Sequence, residues 1–226
     1  MTSSKIDLYY FFVSAPSRAV KTFLVANGIP FEEHVIDVVK GEPKQPAFLA
    51  INPSGLVPYI KDGDFKLGES AAILSYLADS RKTADHWYPA DLQKRARVNE
   101  YLHSHHSDLR VASMGAMVLK VFGRLGDPNA PVDQEAVKKA DEKLAAVLKS
   151  LEARLTLYKF LGGEEISIAD ILAADELYYN QAWKIDLSPY PKVQEWANKV
   201  KQVSGWESVH EPLNGFFAHV QSTLKL

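Results

Sequence analysis

Cysteine is absent from the 226 residues of this chain. The sequence therefore has no disulfide, no thiolate nucleophile of its own and no sulfur ligand for zinc or an iron–sulfur cluster. It also lacks a long apolar run, since no stretch approaches the roughly 18 residues of a membrane-spanning helix. Residues 1–13 lack the features of a signal peptide, and residues 224–226 have Leu where a peroxisomal signal has Ser. We therefore expect a cytoplasmic rather than a peroxisomal protein, with no membrane partner.

A strong charge of one sign is missing as well. The 26 Lys and Arg residues nearly balance the 28 Asp and Glu residues, giving a net charge of −2. No overall electrostatic field would attract a nucleic acid, so we expect no nucleic-acid partner. The remaining composition, with 46% hydrophobic and 24% charged residues, is that of an ordinary globular protein of one or two domains.

The first 40 residues follow a strand, helix, strand pattern. Residues 5–13 are rich in aromatic and β-branched side chains, which is typical of a buried strand. Residues 17–28 have helical spacing of apolar side chains and end at a glycine. Residues 31–39 form a second apolar run, so the opening predicts a βαβ unit whose two strands are parallel.

Residues 43–77 predict a short helix, a hairpin and a longer helix. The short helix is expected within 43–51, and the hairpin strands 59–61 and 65–67 flank an Asp-Gly turn. Helical spacing then runs through residues 69–77. The first part of the chain is therefore an α/β unit of order βαβαββα.

Only helical patterns follow residue 91. We expect domains at 1–79 and 92–226, the second all-helical, joined by a linker at 80–91 that its aromatic residues hold in place. Residues 167–170 read Ser-Ile-Ala-Asp, which is a helix capping box, and Ile166 and Ile171 are placed as a hydrophobic staple around it. We interpret this motif as structural.

Ser14 stands where the first strand gives way to the first helix. Its hydroxyl can cap that helix or point into a cleft at the edge of the sheet. The G-x-S-x-G frame of a serine hydrolase is missing, which excludes that chemistry. A hydroxyl without a base can still donate a hydrogen bond to a thiolate and lower the pKa of that thiol.

Two further places in the first domain can bind a ligand. Val57-Pro58 follows a turn, where a cis bond would direct the Val57 backbone groups outward, although a proline at the start of a strand is an ordinary alternative. Glu69-Ser70 opens a helix whose N–H groups would bind a carboxylate while Glu69 pairs with an amine. Both residues are also common choices for a helix start.

Histidines and aromatic residues offer weaker candidates. His103, His105 and His106 do not share one helical face, so we expect no metal site and interpret them as polar lining of a cleft. Most aromatic side chains belong in the core. A few are candidates for the wall of an apolar pocket, namely Phe11, Phe12, Trp87 and Trp183.

Five motifs stand in order along the chain, in both predicted domains. They are S-A-P-S-R-A-V at 14–20, N-P-S-G-L-V-P at 52–58, K-D-G-D-F-K-L-G-E-S at 61–70, D-H-W-Y-P at 85–89 and S-I-A-D at 167–170. In this order and spacing the sequence resembles a cytosolic glutathione S-transferase of the theta class. The resemblance implies a thioredoxin-like N-terminal domain that binds glutathione as co-substrate. It also implies a helical C-terminal domain that completes an apolar electrophile pocket, and a homodimer.

The resemblance also assigns catalytic residues. Ser14 matches the theta-class serine that hydrogen-bonds the glutathione sulfur, and Ser17 is its nearest rival. In tyrosine-type relatives the activating hydroxyl lies six residues before the arginine that matches Arg18, and here that position is Phe12. Arg110 falls where theta members place an arginine near the sulfur, and its charge would help to hold the thiolate.

Glutathione-binding positions follow in the same way. Val57 and Pro58 match the backbone contact to the cysteinyl part of glutathione, and Glu69 and Ser70 match the γ-glutamyl site.

The chain departs from the theta pattern at two positions. Leu56 replaces a common lysine and Pro43 replaces a common histidine, both of which would meet the glycine carboxylate. Lys44 remains as a substitute, so we expect weak glutathione binding.

The resemblance implies that the glutathione thiolate attacks soft electrophiles such as halides, isothiocyanates and enones. Attack on organic hydroperoxides, which is glutathione peroxidase activity, is a second expected reaction. The alternative from another functional class is a non-catalytic protein on the transferase fold, which stores apolar ligands or has a structural role.

Overall fold

A computed structural model describes residues 5–225 of the chain. Strand β1 (Ile6–Tyr10) leads into helix α1 (Ala15–Ala26), and strand β2 (Phe31–Val35) returns beside β1. The two strands are parallel, with Ile6 opposite Phe31. The predicted βαβ unit is therefore confirmed.

Both strands are shorter than predicted. After β1 the chain turns at once, since the Ser14 N–H donates to the Phe11 carbonyl at 2.9 Å. After β2 the Asp37 carboxylate accepts the backbone N–H groups of Val39 and Lys40 at 2.9 and 3.1 Å. An aspartate that binds the backbone two or three residues onward closes a turn and ends a strand.

The rest of the sheet is antiparallel. Strands β3 (Tyr59–Asp62) and β4 (Phe65–Gly68) form the predicted hairpin, and β3 pairs antiparallel with β1. The strand order is β2-β1-β3-β4. Helix α2 (Pro46–Leu49) is only one turn long and follows a 3₁₀ turn at Glu42–Lys44, so the helix predicted within 43–51 is shorter than expected.

Helix α3 (Ser70–Ser80) completes the predicted βαβαββα order. A 3₁₀ turn at Asp85–Trp87 occupies the predicted linker. There Trp87 is buried, with its ring centroid 5.5 Å from that of Phe23 in α1. The domain limits themselves stay a prediction.

The second part of the chain is helical, as predicted. A 3₁₀ helix at Tyr178–Trp183 follows α7, and among the described residues of this part only Phe160 and Gly163 form a β-bridge. Within residues 5–225 no helix is long and apolar enough to cross a membrane. The helices are α4 (Leu92–His105), α5 (Leu109–Lys120), α6 (Gln134–Leu157), α7 (Ile168–Leu177), α8 (Pro191–Val200) and α9 (Trp206–Leu224).

Helix α7 lies at the centre of the molecule, and all ten of its residues are buried. The predicted capping box begins it, since the Asp170 carboxylate accepts both the backbone N–H and the hydroxyl of Ser167 at 2.8 Å. Apolar side chains from both parts of the chain pack around α7 in one continuous core.

A buried ionic cluster joins α7 to the first part of the chain and to α9. The Arg18 Nε lies 3.1 Å from Asp175 Oδ1, and the His210 Nε2 lies 2.8 Å from the same oxygen. Arg18 also donates through Nη1 to the carbonyls of Phe12 and Val13, at 3.0 and 2.8 Å. This cluster fixes the backbone that leads into Ser14.

Candidate active site

A cavity of about 600 Å³ lies between the sheet and the helical part of the chain. Five of the predicted catalytic and glutathione-binding residues line it, and they come from distant parts of the chain: Ser14, Lys44, Leu56, Val57 and Arg110. The fold thus brings the predicted catalytic pair to one place.

Ser14 is the residue that caps α1. Its Oγ accepts the backbone N–H of Ser17 at 3.4 Å. Its own O–H donates to no other group among residues 5–225, so it is available to a ligand in the cavity that Ser14 lines. The N-terminus of α1 adds a partial positive charge that favours an anion here. The rival Ser17 is fully buried, and its hydroxyl has no hydrogen-bond partner among the described residues.

Arg110 projects from α5 into the same cavity and is held by a buried carboxylate. Its Nη1 lies 3.0 and 3.2 Å from the two oxygens of Glu176, which is fully buried. Burial raises the pKa of Glu176 to about 7, although the Arg110 charge opposes this shift. Burial lowers the pKa of Arg110, but the attraction of Glu176 outweighs it and the net pKa is raised. The arginine is therefore a permanent cation in the cavity wall.

The turn before β3 forms the cavity mouth. Val57-Pro58 is a cis peptide bond, and Leu56 beside it is 56% exposed. Gly55 has a positive φ of 59°, and a Cβ there would meet the Pro43 carbonyl oxygen at 2.6 Å, so only glycine fits. Lys44 Nζ reaches across the turn to the Ser54 carbonyl at 3.2 Å.

Pro58, Glu69 and Ser70 lie just beyond the lining of this cavity. Pro58 and Glu69 adjoin Tyr59 and Gly68, the pair that ends the hairpin. Glu69 has φ 64°, a conformation that non-glycine residues rarely adopt and that often marks a functional position. Ser70 begins α3, and its buried hydroxyl has no partner among the described residues.

The remaining wall of the cavity is apolar, supplied chiefly by Phe11, Met114, Phe122, Leu125 and Phe216.

Of the four aromatic residues suggested for the pocket, Phe11 alone lines it. Phe12 packs on Phe11 instead, and Trp87 packs on Phe23 in the core, with centroid distances of 5.0 and 5.5 Å. Trp183 lies beside Lys120, 5.5 Å from its Nζ. The expectation for these three was wrong, because the aromatic side chains of the wall are Phe11 after β1, Phe122 after α5, Tyr179 and Phe216 of α9.

The three histidines lie in different surroundings. His105 is buried, and burial lowers its pKa to about 3, with the charges of His106 and Arg110 adding to the shift. His103 and His106 are exposed, and His106 Nε2 lies 4.0 Å from a Glu69 oxygen. Within residues 5–225 no group of three or more His, Asp and Glu side chains is placed to hold a metal ion.

Two residues near Ser14 were missed by the sequence analysis, Tyr179 and Glu176. Tyr179 lines the cavity, and its hydroxyl accepts the Ala15 N–H at 2.9 Å and donates to the Val13 carbonyl. For Glu176 the available signal was the Asp175-Glu176 pair, which follows the apolar residues 171–174 of α7, because a buried charge requires a partner.

Two family models match this chain. Residues 4–79 match the N-terminal domain of glutathione S-transferases, and residues 111–202 match their C-terminal domain. Glutathione S-transferase theta-2 of Mus musculus is 38% identical over 208 residues, which cover 91% of this chain and 84% of that protein.

Solved structures of human theta-class enzymes are similar in fold. One, in complex with the glutathione conjugate of 1-menaphthyl sulfate, has a TM-score of 0.89 at 37% identity and covers 96% of this chain and 91% of its own. Another, theta-2 with glutathione and an unknown ligand, has a TM-score of 0.88 at 36% identity. The match covers 96% of this chain and 90% of that structure's chain.

Proposed function

Because this chain belongs to the glutathione S-transferase family and is theta-like, we propose that its Ser14 hydroxyl binds and stabilises the thiolate of glutathione. The protein is a glutathione transferase. The observation that carries the proposal is the position of Ser14, with its free O–H at the start of α1 and in the same cavity as Arg110.

The Ser14 hydroxyl and the Arg110 guanidinium both favour the charged form of the glutathione thiol. A hydrogen bond donated to the thiolate and a nearby cation each lower a thiol pKa, so more of the bound glutathione is reactive near neutral pH. The N-terminus of α1 acts in the same direction. Ser14 and Arg110 are therefore the catalytic residues of the proposal.

The rest of glutathione would extend along the turn and the start of α3. Val57, beside the cis Pro58, offers backbone groups to the cysteinyl part, as an added strand would use them. The N–H groups at the start of α3 and the unpartnered Ser70 hydroxyl suit the γ-glutamyl carboxylate. Glu69, with a side chain that is 71% exposed, suits the γ-glutamyl amine, and Lys44 is the cation available for the glycine carboxylate.

The apolar wall would hold the electrophile against the sulfur. With a halide, a carbon–sulfur bond forms while the halide leaves with the bonding electron pair. With an isothiocyanate or an enone, the sulfur adds to the electrophilic carbon and the resulting anion takes a proton from solvent. Holding both reactants in one cavity makes the attack effectively unimolecular.

Peroxidase activity would use the same thiolate. The sulfur attacks the terminal peroxide oxygen and the O–O bond breaks, which turns glutathione into its sulfenic acid. The alkoxide that leaves takes a proton from solvent and becomes an alcohol. A second glutathione thiol then forms the disulfide and water. Product identity separates this reaction from conjugation. The proposed assembly is a homodimer in the cytoplasm, which is typical of the family.

The test is an ultraviolet titration of the thiolate of bound glutathione. We expect the parent protein to hold the thiol at a pKa well below that of free glutathione. Ser14→Ala should raise that pKa by about one pH unit or more, because it removes the hydrogen bond to the anion. Ser17→Ala, which removes a buried hydroxyl outside the cavity, is the matched control and should leave the titration unchanged. Absence of glutathione binding, or an unshifted thiol pKa in the parent, would reject the proposal.

A further inference from the structure

The Tyr179 hydroxyl holds the peptide groups on both sides of Ser14. It accepts the N–H of Ala15 at 2.9 Å and donates to the carbonyl of Val13. The side chain is almost fully buried, and burial raises the pKa of the phenol, so the hydroxyl keeps the proton that it donates. Because both neighbours of Ser14 are fixed by one atom, the backbone at Ser14 cannot shift without breaking this contact.

A buried carboxylate holds Arg110, which lines the same cavity as Tyr179. The Arg110 Nη1 donates to both oxygens of Glu176, at 3.2 and 3.0 Å. Glu176 is itself anchored, since the Ser113 hydroxyl donates to its backbone carbonyl at 3.1 Å. One set of contacts thus holds Arg110 through Glu176, and another holds the backbone around Ser14 through Tyr179.

Several charges act on Glu176 in this setting. Arg110 of α5 and Arg18 of α1 favour its ionised form, while burial and the neighbouring Asp175 of α7 oppose it. On the far side of Asp175 lies His210 of α9. Glu176 therefore compensates part of the positive charge that Arg110 presents to the cavity.

We propose that Tyr179 and Glu176 are positioning residues for thiolate activation: Tyr179 fixes the place of Ser14, and Glu176 sets the position and the effective charge of Arg110. This inference rests on the proposed function of Ser14. It assigns a role in activation to two residues that touch neither the sulfur nor the electrophile in the proposed arrangement.

The first variant is Tyr179→Phe, which removes the hydroxyl and keeps the ring. We expect the thiol pKa of bound glutathione to rise by about one pH unit, because the hydrogen bond from Ser14 to the thiolate loses its alignment. The glutathione dissociation constant should stay within about twofold, because the proposed glutathione contacts at the turn and at α3 are untouched. Tyr178→Phe is the matched control, since its hydroxyl donates to Asn214 outside the cavity at 2.8 Å.

A second variant keeps the inference testable if Tyr179→Phe does not fold. Glu176→Gln retains an oxygen that accepts from Arg110 but removes the negative charge. We expect the thiol pKa of bound glutathione to fall by about half a pH unit, because the charge of Arg110 is no longer compensated. This shift is opposite in direction to the one expected for Tyr179→Phe. A purely structural role would lower the melting temperature of either variant without these opposite shifts.

The outcomes separate the two proposals. If the parent shows a lowered thiol pKa that Ser14→Ala abolishes, while Tyr179→Phe and Glu176→Gln titrate like Tyr178→Phe, the inference is overturned and the proposed function stands. If the parent itself does not lower the thiol pKa, the proposed function fails first.

Discussion

Leu56 places an exposed apolar side chain in the lining of the cavity that Lys44 also lines. Theta-class sequences commonly carry lysine at this position, where it would meet the glycine carboxylate of glutathione. The Lys44 ammonium is partly engaged, because it donates to the Ser54 carbonyl at 3.2 Å. In the proposed binding mode, the cation available for that carboxylate is Lys44, which is shared with the Ser54 carbonyl.

Leu56→Lys should tighten glutathione binding. An exposed ion pair contributes about 0.2–1 kcal/mol, so the dissociation constant should fall by about 1.4-fold to 5-fold. Isothermal titration calorimetry measures this directly, and the gain should shrink at high salt because the pair is exposed. Leu56→Met is the control for the change of side-chain shape. Equal affinity in the two variants would contradict placement of the glycine carboxylate at this position.

At the scale of elements, the start of α7 shows how one side chain organises a helix end. The fully buried Asp170 carboxylate accepts from the Ser167 backbone and hydroxyl, the Leu161 N–H and the Trp196 indole, each at 2.8 Å. Burial raises the pKa of Asp170, although these hydrogen bonds oppose the shift. The carboxylate thus joins the loop before α7 to α8, and α7 in turn carries Glu176.

Asp170→Ala should lower the free energy of unfolding by about 3 kcal/mol or more, because several buried donors lose their partner together. Chemical denaturation of the whole protein measures the loss. Asp133→Ala is the matched control, since Asp133 caps α6 at an exposed site through two backbone N–H groups at 3.0 Å. Loss of that cap should lower the free energy of unfolding by only about 1 kcal/mol. Similar losses in the two variants would show that the buried network adds nothing to an ordinary cap.

Elements with local signals could be predicted from the sequence. The hairpin follows from the Asp-Gly turn, and the capping box from the spacing of Ser167 and Asp170. The end of β2 was placed four residues too late because the apolar run continues to Val39, while the Asp37 carboxylate closes a turn. Apolar composition alone does not distinguish a strand from an exposed loop at the mouth of a cavity.

At the scale of the whole molecule, Arg18 and Asp175 join the two parts of the chain. Their ion pair is fully buried, and Arg18 also donates to the Asp175 carbonyl through Nη2 at 2.8 Å. His210 of α9 completes the cluster and stacks on Trp206, with ring centroids 3.9 Å apart. Helices α1, α7 and α9 thus meet in one buried polar cluster within a common core.

The two parts should therefore unfold in one cooperative transition, followed alike by circular dichroism and tryptophan fluorescence. Arg18→Ala should lower the free energy of unfolding by about 3–5 kcal/mol, because it leaves a buried carboxylate without its main partner. Arg97→Ala is the control, since Arg97 is exposed and donates to the Tyr158 hydroxyl at 2.7 Å. Two separate transitions in the parent, or equal losses in both variants, would contradict this coupling.

The site itself could be predicted only in part. Ser14, Val57 and Ser70 stand in short motifs beside turns and helix starts, so the sequence and its family resemblance indicate them. Tyr179 and Glu176 stand in no motif, and their roles depend on partners that only the folded chain brings near. The signal for Glu176, a charge within an apolar helix, indicates a buried partner but not which arginine provides it.

The contact between Ala15 and Tyr179 spans 164 residues. During synthesis on the ribosome, the backbone on both sides of Ser14 emerges long before the hydroxyl that holds it, and N-terminal segments generally fold first. The sheet can thus form on a nascent chain while the serine is still unsupported. Under the proposed role of Tyr179, translation must pass residue 179 before a reactive thiolate can be held, and prematurely terminated chains would lack that support.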